Sequence, residues 1–156
     1  MKYLFRGLLL IILGVVAVGL FVRFAPVTPE DWHVDPMTVE RPDAENFYLL
    51  RPEGGDGPAP VFDTTPETLA SAFQALAGAM PRSSLIQGSA AAGHMTVMVR
   101  SQLMGFPDFV TVKVMAVEGG SALAVFSRSK YGYSDLGVNK ARVEDWLAEL
   151  EARLQP

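Results

Sequence analysis

The chain has 156 residues, of which 49% are hydrophobic and 19% charged, and its formal net charge is −4 at pH 7. This length suits one domain, and the composition excludes a disordered chain, a protein with several membrane spans and a simple coiled coil. The sequence contains no cysteine. It therefore excludes a disulfide scaffold, a cysteine-ligated zinc site, a thiol nucleophile and lipid attachment to an N-terminal cysteine.

The hydrophobic residues are concentrated near the N-terminus. Residues 7–22 carry no charge, and the non-hydrophobic residues among them are all glycine. Sixteen helical residues span about 24 Å, and apolar neighbours on both sides extend the run toward the roughly 30 Å of a hydrocarbon core. A cleaved signal peptide is the alternative, but Arg23 interrupts the region that would precede the cleavage site. We therefore expect residues 1–25 to form an uncleaved transmembrane signal anchor.

The charges around this run predict its orientation. Lys2 and Arg6 precede it, whereas Arg23 follows it and is itself followed by Glu30 and Asp31. The positive-inside rule places the N-terminus in the cytoplasm and the C-terminal domain in the periplasm, anchored in the inner membrane. All 17 acidic residues but only 10 of the 13 basic residues follow Arg23, so the exported part carries 10 − 17 = −7. That charge argues against a nucleic-acid partner.

A linker and a helix are expected next. Residues 26–44 are rich in proline and predict a linker, and residues 45–156 then form the globular domain, with a short strand at 46–50. Thr65 is a good N-cap and Pro66 suits the first helical position. Apolar residues recur at helical spacing before Pro81 and predict a side that faces the core: Leu69, Phe73, Leu76 and Met80.

Alternating apolar residues predict strands at 94–104, 108–117 and 121–130, with another at 83–89. We expect Gly119 and Gly120 to form a two-residue hairpin turn that pairs Glu118 with Ser121. Strict alternation assigns six residues to the side facing the helices: Val110, Val112, Val114, Ala116, Leu123 and Val125. If Val97, Val99 and Leu103 share that side, three cations lie on the opposite one: Arg100, Lys113 and Arg128.

The last predicted element is a helix that begins after Asn139 as its N-cap, with Val138 and Val143 as a hydrophobic staple. Its apolar stripe consists of Val143, Trp146, Leu147, Leu150 and Leu154. The order of elements predicts an α+β fold with one antiparallel sheet of four to five strands and two helices on one face. We expect a β-α-β4-α topology, as in TBP-like or helix-grip-like folds, after the transmembrane helix.

The candidate site combines the three cations with the loop that precedes the last helix. Cations at close quarters repel one another unless carboxylates or a bound anion neutralise them, and Asp108 and Asp135 are candidate internal partners. Two hypotheses stay open: an Arg–Asp network that holds the sheet to the loop, or a subsite for a carboxylate or phosphate group. The candidate ligand-binding residues are Arg100, Asp108, Lys113, Arg128, Tyr131, Ser134, Asp135, Asn139 and Arg142.

Catalytic and metal motifs are not apparent. His33 and His94 have no partner at metal-ligand spacing, so we expect neither a metal nor a cofactor. An enzyme would have to use Ser129 or Asp135, and the sequence offers neither of them a recognisable base with an orienting third group. We therefore assign no catalytic residue.

Several segments resemble the family catalogued as domain of unknown function 1499. They are Arg100-Ser101, Phe106-Pro107-Asp108, Ser127-Arg128-Ser129 and the run from Gly132 to Arg142. The resemblance covers about residues 45–154. It implies a small exported or membrane-anchored bacterial protein, and it supplies no catalytic residues because the family has no established activity.

The leading hypothesis is a non-enzymatic, membrane-anchored binding module. Its exported domain would bind a small anionic or amphipathic ligand, or an envelope partner protein, across Arg100, Arg128 and residues 131–139. One alternative is a cell-envelope hydrolase or transferase that uses Ser129 or Asp135. Another is a structural subunit of an envelope complex.

Overall fold

Six antiparallel strands and two long helices build the domain that follows the apolar N-terminal helix. The computed structural model describes residues 2–155, so Met1 and Pro156, which belong to the predicted anchor and domain, lie outside the described residues. The helices are α1 (Lys2–Phe24), α2 (Pro29–Trp32), α3 (Pro66–Ala79) and α4 (Val138–Leu154). The strands are β1 (Phe47–Leu50), β2 (Val61–Phe62), β3 (Ser83–Ser89), β4 (His94–Arg100), β5 (Pro107–Val117) and β6 (Gly120–Ser129).

The sheet has the order β1-β6-β5-β4-β3, and β2 pairs with a separate part of β6. The predicted α+β class and antiparallel sheet are confirmed, but the number of strands exceeds the four to five expected. The additional strand, β2, has two residues between turn-forming segments. Such a short strand leaves no alternating pattern in the sequence.

The β5–β6 hairpin has a different register from the predicted one. Val117 pairs with Gly120, so the loop consists of Glu118 and Gly119. Glycine is needed at position 120 because a Cβ there would lie 2.1 Å from the carbonyl oxygen of Phe62 in β2. The pairing is shifted by two residues, so each side chain keeps the side of the sheet that alternation assigned to it.

Helices α3 and α4 pack on one side of the sheet, as predicted. The Thr65 hydroxyl oxygen caps α3 by accepting a hydrogen bond from Thr68 N at 3.3 Å, which confirms this N-cap. The core between helices and sheet contains Leu69, Phe73, Leu76, Val110, Val112, Leu123, Val125, Val143, Trp146 and Leu150.

The other side of the sheet is also covered, by the segment that precedes β1. Trp32 stacks on Phe109 with ring centroids 3.9 Å apart, and His33 stacks on His94 at 3.8 Å. These contacts belong to residues 26–44, for which a linker is predicted. We call Trp32 to Asp35 the arm, and it lies over the side of the sheet on which Phe109, Ala124 and Phe126 are buried.

Strand β4 ends at Arg100, four residues before its predicted end. Gly105 N donates to Ser101 O at 3.1 Å, and Phe106 N donates to the Ser101 hydroxyl oxygen at 3.0 Å, so the chain turns here. Leu103 was expected on the core side of the sheet, but it lies in this turn with 91% of its surface exposed. The expectation was wrong because an apolar residue at the right spacing does not show where a strand stops.

Helix α1 has no buried residue within the described part of the chain, and Gly19 and Val22 are half-buried. It is long and apolar enough to cross a membrane, and it fits a signal anchor or a signal peptide equally well. Its last turn contacts the β4–β5 turn, where Arg100 Nη1 donates to Arg23 O at 2.8 Å.

Candidate functional site

The loop between β6 and α4 holds the start of α4 through Asp135. One carboxylate oxygen accepts from Gly137 N at 3.0 Å, and the other accepts from Asn139 N at 2.7 Å. Gly137 adopts a left-handed conformation with a φ of 84°, which glycine tolerates best. Asp135 therefore satisfies the free backbone donors of this helix end, a role that the sequence assigned to Asn139.

Asn139 is the hub of a buried polar network on the helix side of the sheet. Its Nδ2 donates to Asp135 Oδ2 at 2.6 Å, to Asn46 O at 3.0 Å and to Ser129 Oγ at 3.1 Å. Its Oδ1 accepts from Ser127 Oγ at 2.6 Å. The prediction that Asn139 is an N-cap was wrong, because α4 begins two residues earlier than predicted, with Gly137 at the N-cap position, and Asn139 lies inside the helix with its side chain toward the sheet. Val138 is correspondingly exposed and forms no staple with the buried Val143.

A buried ion pair continues this network. Arg142 Nη2 donates to Asp108 Oδ2 at 2.5 Å, and Arg142 Nη1 donates to Asn139 Oδ1 at 2.8 Å. The two side chains are only 12% and 9% exposed. The pair connects the start of β5 to the first turns of α4, and both residues belong to the predicted set.

Asn46 is a member that sequence reasoning missed. Besides its carbonyl contact with Asn139, its Nδ2 donates to Gly132 O at 2.6 Å. It lies immediately before β1, and β1 pairs with β6, so its position beside the loop follows from a pairing between distant segments. A polar residue at the start of a short apolar run was the available signal, and such residues are common in ordinary turns.

A groove lies beside the network, between the end of α3 and the face of α4. Its volume is about 510 Å³. Arg142 belongs both to the buried network and to the wall of this groove. The other lining residues are Met80, Pro81, Arg82, Val99, Val138, Ala141, Asp145, Trp146 and Glu149. The walls are thus mainly apolar, and their charged groups are the guanidinium groups of Arg82 and Arg142 and the carboxylates of Asp145 and Glu149.

The three predicted cations do not form one cluster, although all lie on the predicted side of the sheet. Arg128 is buried and donates to Trp32 O and to Thr111 Oγ1. Lys113 forms an ion pair with Asp35 of the arm, and Arg100 donates to backbone carbonyls of the β4–β5 turn and of α1. Asp108 and Asp135 are not their partners, because Asp108 shares the helix side of β5 with Val110 and Asp135 caps α4.

Burial and neighbouring groups shift the pKa values of Arg128 and Asp35. Loss of solvent lowers the pKa of Arg128 to about 10, so its guanidinium still carries its charge at neutral pH. The ring centroids of Phe126 and Trp32 lie 4.4 and 5.2 Å from its Cζ atom. Burial alone would raise the pKa of Asp35, but hydrogen bonds from Lys113 and from Met37 N outweigh it and lower the pKa.

A chain of hydrogen bonds under the arm fixes the tautomer of His33. Thr111 donates to Trp32 O at 3.0 Å, so the Thr96 hydroxyl must donate to Thr111 across 3.1 Å. Thr96 then accepts from His33 Nδ1 at 2.8 Å, which places a proton on Nδ1. His94 Nε2 donates to Val34 O at 3.2 Å and holds the arm from a second point.

Acidification is expected to weaken the packing of the arm. Burial and, secondly, the neighbouring His94 lower the pKa of His33 below its ordinary 6.5. The unfolded chain therefore binds this proton first, and the free energy of unfolding falls as the pH drops below about 6.5. Urea unfolding of the protein between about pH 7.5 and 5 measures the slope. The variant His33→Asn keeps a donor toward Thr96, and its stability should change less with pH; an identical slope would contradict this assignment.

Tyr131 and Ser134 lie at the edge of the site. Tyr131 is partly exposed and meets Phe106 edge to face, with ring centroids 6.2 Å apart. Ser134 accepts from Leu136 N at 3.4 Å and pairs with Glu45 through a single parallel bridge. Neither side chain enters the buried network. The structure thus brings together Asp108, Asp135, Asn139 and Arg142 and leaves Arg100, Lys113, Arg128, Tyr131 and Ser134 apart.

The comparison with protein families agrees with the resemblance seen in the sequence. Residues 30–150 match the family described as "Protein of unknown function (DUF1499)". A crystal structure of a protein from Chromobacterium violaceum shares 15% identity, with a TM-score of 0.40, over 71% of this chain and 98% of the other. None of the curated proteins matches significantly. Since the family match covers well over half of the sequence, including the whole of the arm, the chain belongs to the DUF1499 family.

Proposed function

We propose that the protein is a membrane-anchored binding module without catalytic activity. Residues 1–25 serve as an uncleaved anchor with the N-terminus in the cytoplasm, and the domain lies on the periplasmic side. The groove beside Arg142 holds a small amphipathic ligand that carries an anionic group. The observation that carries this proposal is the double position of Arg142, which is fixed by the buried network and also lines the groove.

The shape and chemistry of the groove support such a ligand. Its volume of about 510 Å³ lies within the range of small-molecule sites. Val99, Met80 and Trp146 offer an apolar surface for a hydrocarbon body. Arg142 is preorganised because Asp108 and Asn139 hold its guanidinium, so little side-chain entropy is lost when an anion approaches.

The contacts of the two candidate nucleophiles support a non-catalytic role. Ser129 Oγ accepts a hydrogen bond from the Asn139 amide, which is not a base. Asp135 is engaged with Asn139 and with backbone amides at the start of α4. His33 and His94 contact the arm on the opposite side of the sheet, away from both residues.

Filling the groove is expected to abolish ligand binding without disturbing the network. Ala141 is exposed on α4 and lines the groove, so Ala141→Trp occupies the space and removes no contact. With dodecyl phosphate as the probe, native mass spectrometry of the full chain in detergent should show affinity reduced about tenfold or more, equivalent to at least about 1.4 kcal/mol.

The control places the same side chain elsewhere. Ala75→Trp adds a tryptophan to an exposed position of α3 outside the groove and should bind the probe as the wild type does. Dodecanol, which lacks the phosphate, should bind more weakly to the wild type because it cannot pair with Arg142. Equal binding of dodecyl phosphate to both variants, or no binding to the wild type, would reject this use of the groove.

A further inference from the structure

Two loops at the end of the domain next to α1 carry exposed apolar side chains. Residues 101–106 connect β4 to β5, and residues 130–137 connect β6 to α4. The edge-to-face contact of Phe106 with Tyr131 joins them into one surface, which we call the loop face. Its exposed hydrophobic side chains are Leu103, Met104, Tyr131, Tyr133 and Leu136.

A contact with α1 determines how deeply the β4–β5 loop would lie in a bilayer that surrounds this helix. Met104 Cε lies 3.3 Å from the position that a Cβ would take at Gly19. Gly19 belongs to the uncharged run of α1 and precedes Arg23 by four residues, which is about 6 Å along the helix axis. A bilayer that surrounds this part of α1 therefore reaches Met104 and its neighbour Leu103.

Cations lie where the apolar run of α1 ends. Arg100 Nη1 donates to Arg23 O at 2.8 Å, and Lys130 Nζ donates to Pro26 O at 3.2 Å. Arg23, Arg100 and Lys130 thus gather near the end of α1, at the level expected for lipid phosphates. Tyr131, whose ring centroid lies 5.4 Å from Lys130 Nζ, suits the aromatic belt of a membrane interface.

We propose that the loop face docks onto the outer leaflet of the bilayer that α1 spans. Leu103 and Met104 enter the acyl region, while Arg23, Arg100 and Lys130 contact phospholipid phosphates. The inference rests on the proposed retention of α1 as an anchor. Because the exported part as a whole carries −7, an anionic membrane repels most of its surface and favours contact through this basic, apolar end.

A fluorophore attached at single cysteines tests the docking in the full chain. The sequence contains no cysteine, so Leu103→Cys and Glu118→Cys each create one labelling site for a nitrobenzoxadiazole probe. Glu118 is exposed in the β5–β6 turn, about 33 Å from the loop face along β5. The labelled proteins are reconstituted into vesicles of phosphatidylcholine and phosphatidylglycerol that contain lipids with a nitroxide near the headgroup.

The probe at position 103 is expected to emit at shorter wavelength than the probe at 118 and to be quenched several-fold more strongly. Equal, water-like emission and quenching at the two positions would overturn docking and leave the anchor in place. The intact mass of the protein extracted from native membranes reports separately on the anchor. Loss of residues 1–25 there would refute the proposed retention and, with it, the basis for docking.

Discussion

Replacing Asn139 with leucine is expected to lower the free energy of unfolding by about 3–5 kcal/mol, because several buried groups lose their partner together. Asn139 is fully buried, and its amide serves the Asn46 carbonyl, the hydroxyl groups of Ser127 and Ser129, and the Asp135 carboxylate. An N-cap residue, which the sequence suggested, contributes only about 1 kcal/mol. Urea unfolding of the variant at neutral pH measures the difference.

The size of this loss shows whether Asn139 stabilises the protein as the centre of the buried network or contributes no more than a single hydrogen bond. The neighbouring Lys140 is exposed, and Lys140→Ala should change stability by less than about 0.5 kcal/mol. If Asn139→Leu does not fold, Asn139→Ser retains a polar group, and we expect a smaller but still measurable destabilisation. A loss of about 1 kcal/mol for Asn139→Leu would contradict the large contribution expected of the buried network.

Breaking the Asp108–Arg142 pair on one side only is expected to be equally severe. Arg142→Met leaves a carboxylate that is almost fully buried without its partner, and such losses are about 3–5 kcal/mol. The double variant Asp108→Leu with Arg142→Met removes the stranded charge as well. It should regain most of the lost stability, because buried ion pairs are often replaceable by apolar residues of similar volume.

A double-mutant cycle measured by urea unfolding tests this coupling. The exposed pair Lys140–Glu144, with atoms 3.8 Å apart, is a suitable comparison because its coupling should not exceed about 0.5 kcal/mol. Additive effects of Asp108→Leu and Arg142→Met would show that the two side chains do not depend on each other. The pair would then lose its role of orienting Arg142 toward the groove.

Local patterns predicted the elements of the fold because each pattern is decided by near neighbours. The helical spacing from Leu69 to Met80, the Thr65 cap and the alternation along β5 and β6 all held in the structure. The hairpin register failed because Gly120 serves a contact with Phe62 rather than the turn. That contact joins segments nearly 60 residues apart, and the spacing of residues along one segment cannot predict it.

The sequence contained a sign of the second layer of the domain that our sequence analysis did not use. By the same strict alternation that assigns Val110 and Val125 to the helix side, Phe109, Ala124 and Phe126 lie on the side away from the helices, and an apolar second side indicates that something covers it. The cover is the arm, whose proline-rich surroundings suggested a linker. The proline-rich composition of residues 26–44 indicates that this segment does not form regular structure by itself. It does not show which surface of the domain the segment packs against.

The sequence predicted several residues of the candidate site, but it did not predict which of them contact each other. Alternation already separated Asp108 from Arg128, since Asp108 shares a side with Val110 and Arg128 does not. The pairing of Asp108 with Arg142 required knowing where α4 lies over the sheet. The role of Asn46 in the network could not be predicted from the sequence, because its hydrogen-bond partners are about 90 residues away.

The pairing of β1 with β6 has a consequence for folding during synthesis. Phe47 lies opposite Arg128, which follows it by 128 − 47 = 81 residues. A chain that is synthesised from its N-terminus presents β1 before the rest of the domain, and β1 stays without this partner until almost the whole domain has been made. The sheet is therefore completed late, and its edge strand needs protection from other chains until β6 is available.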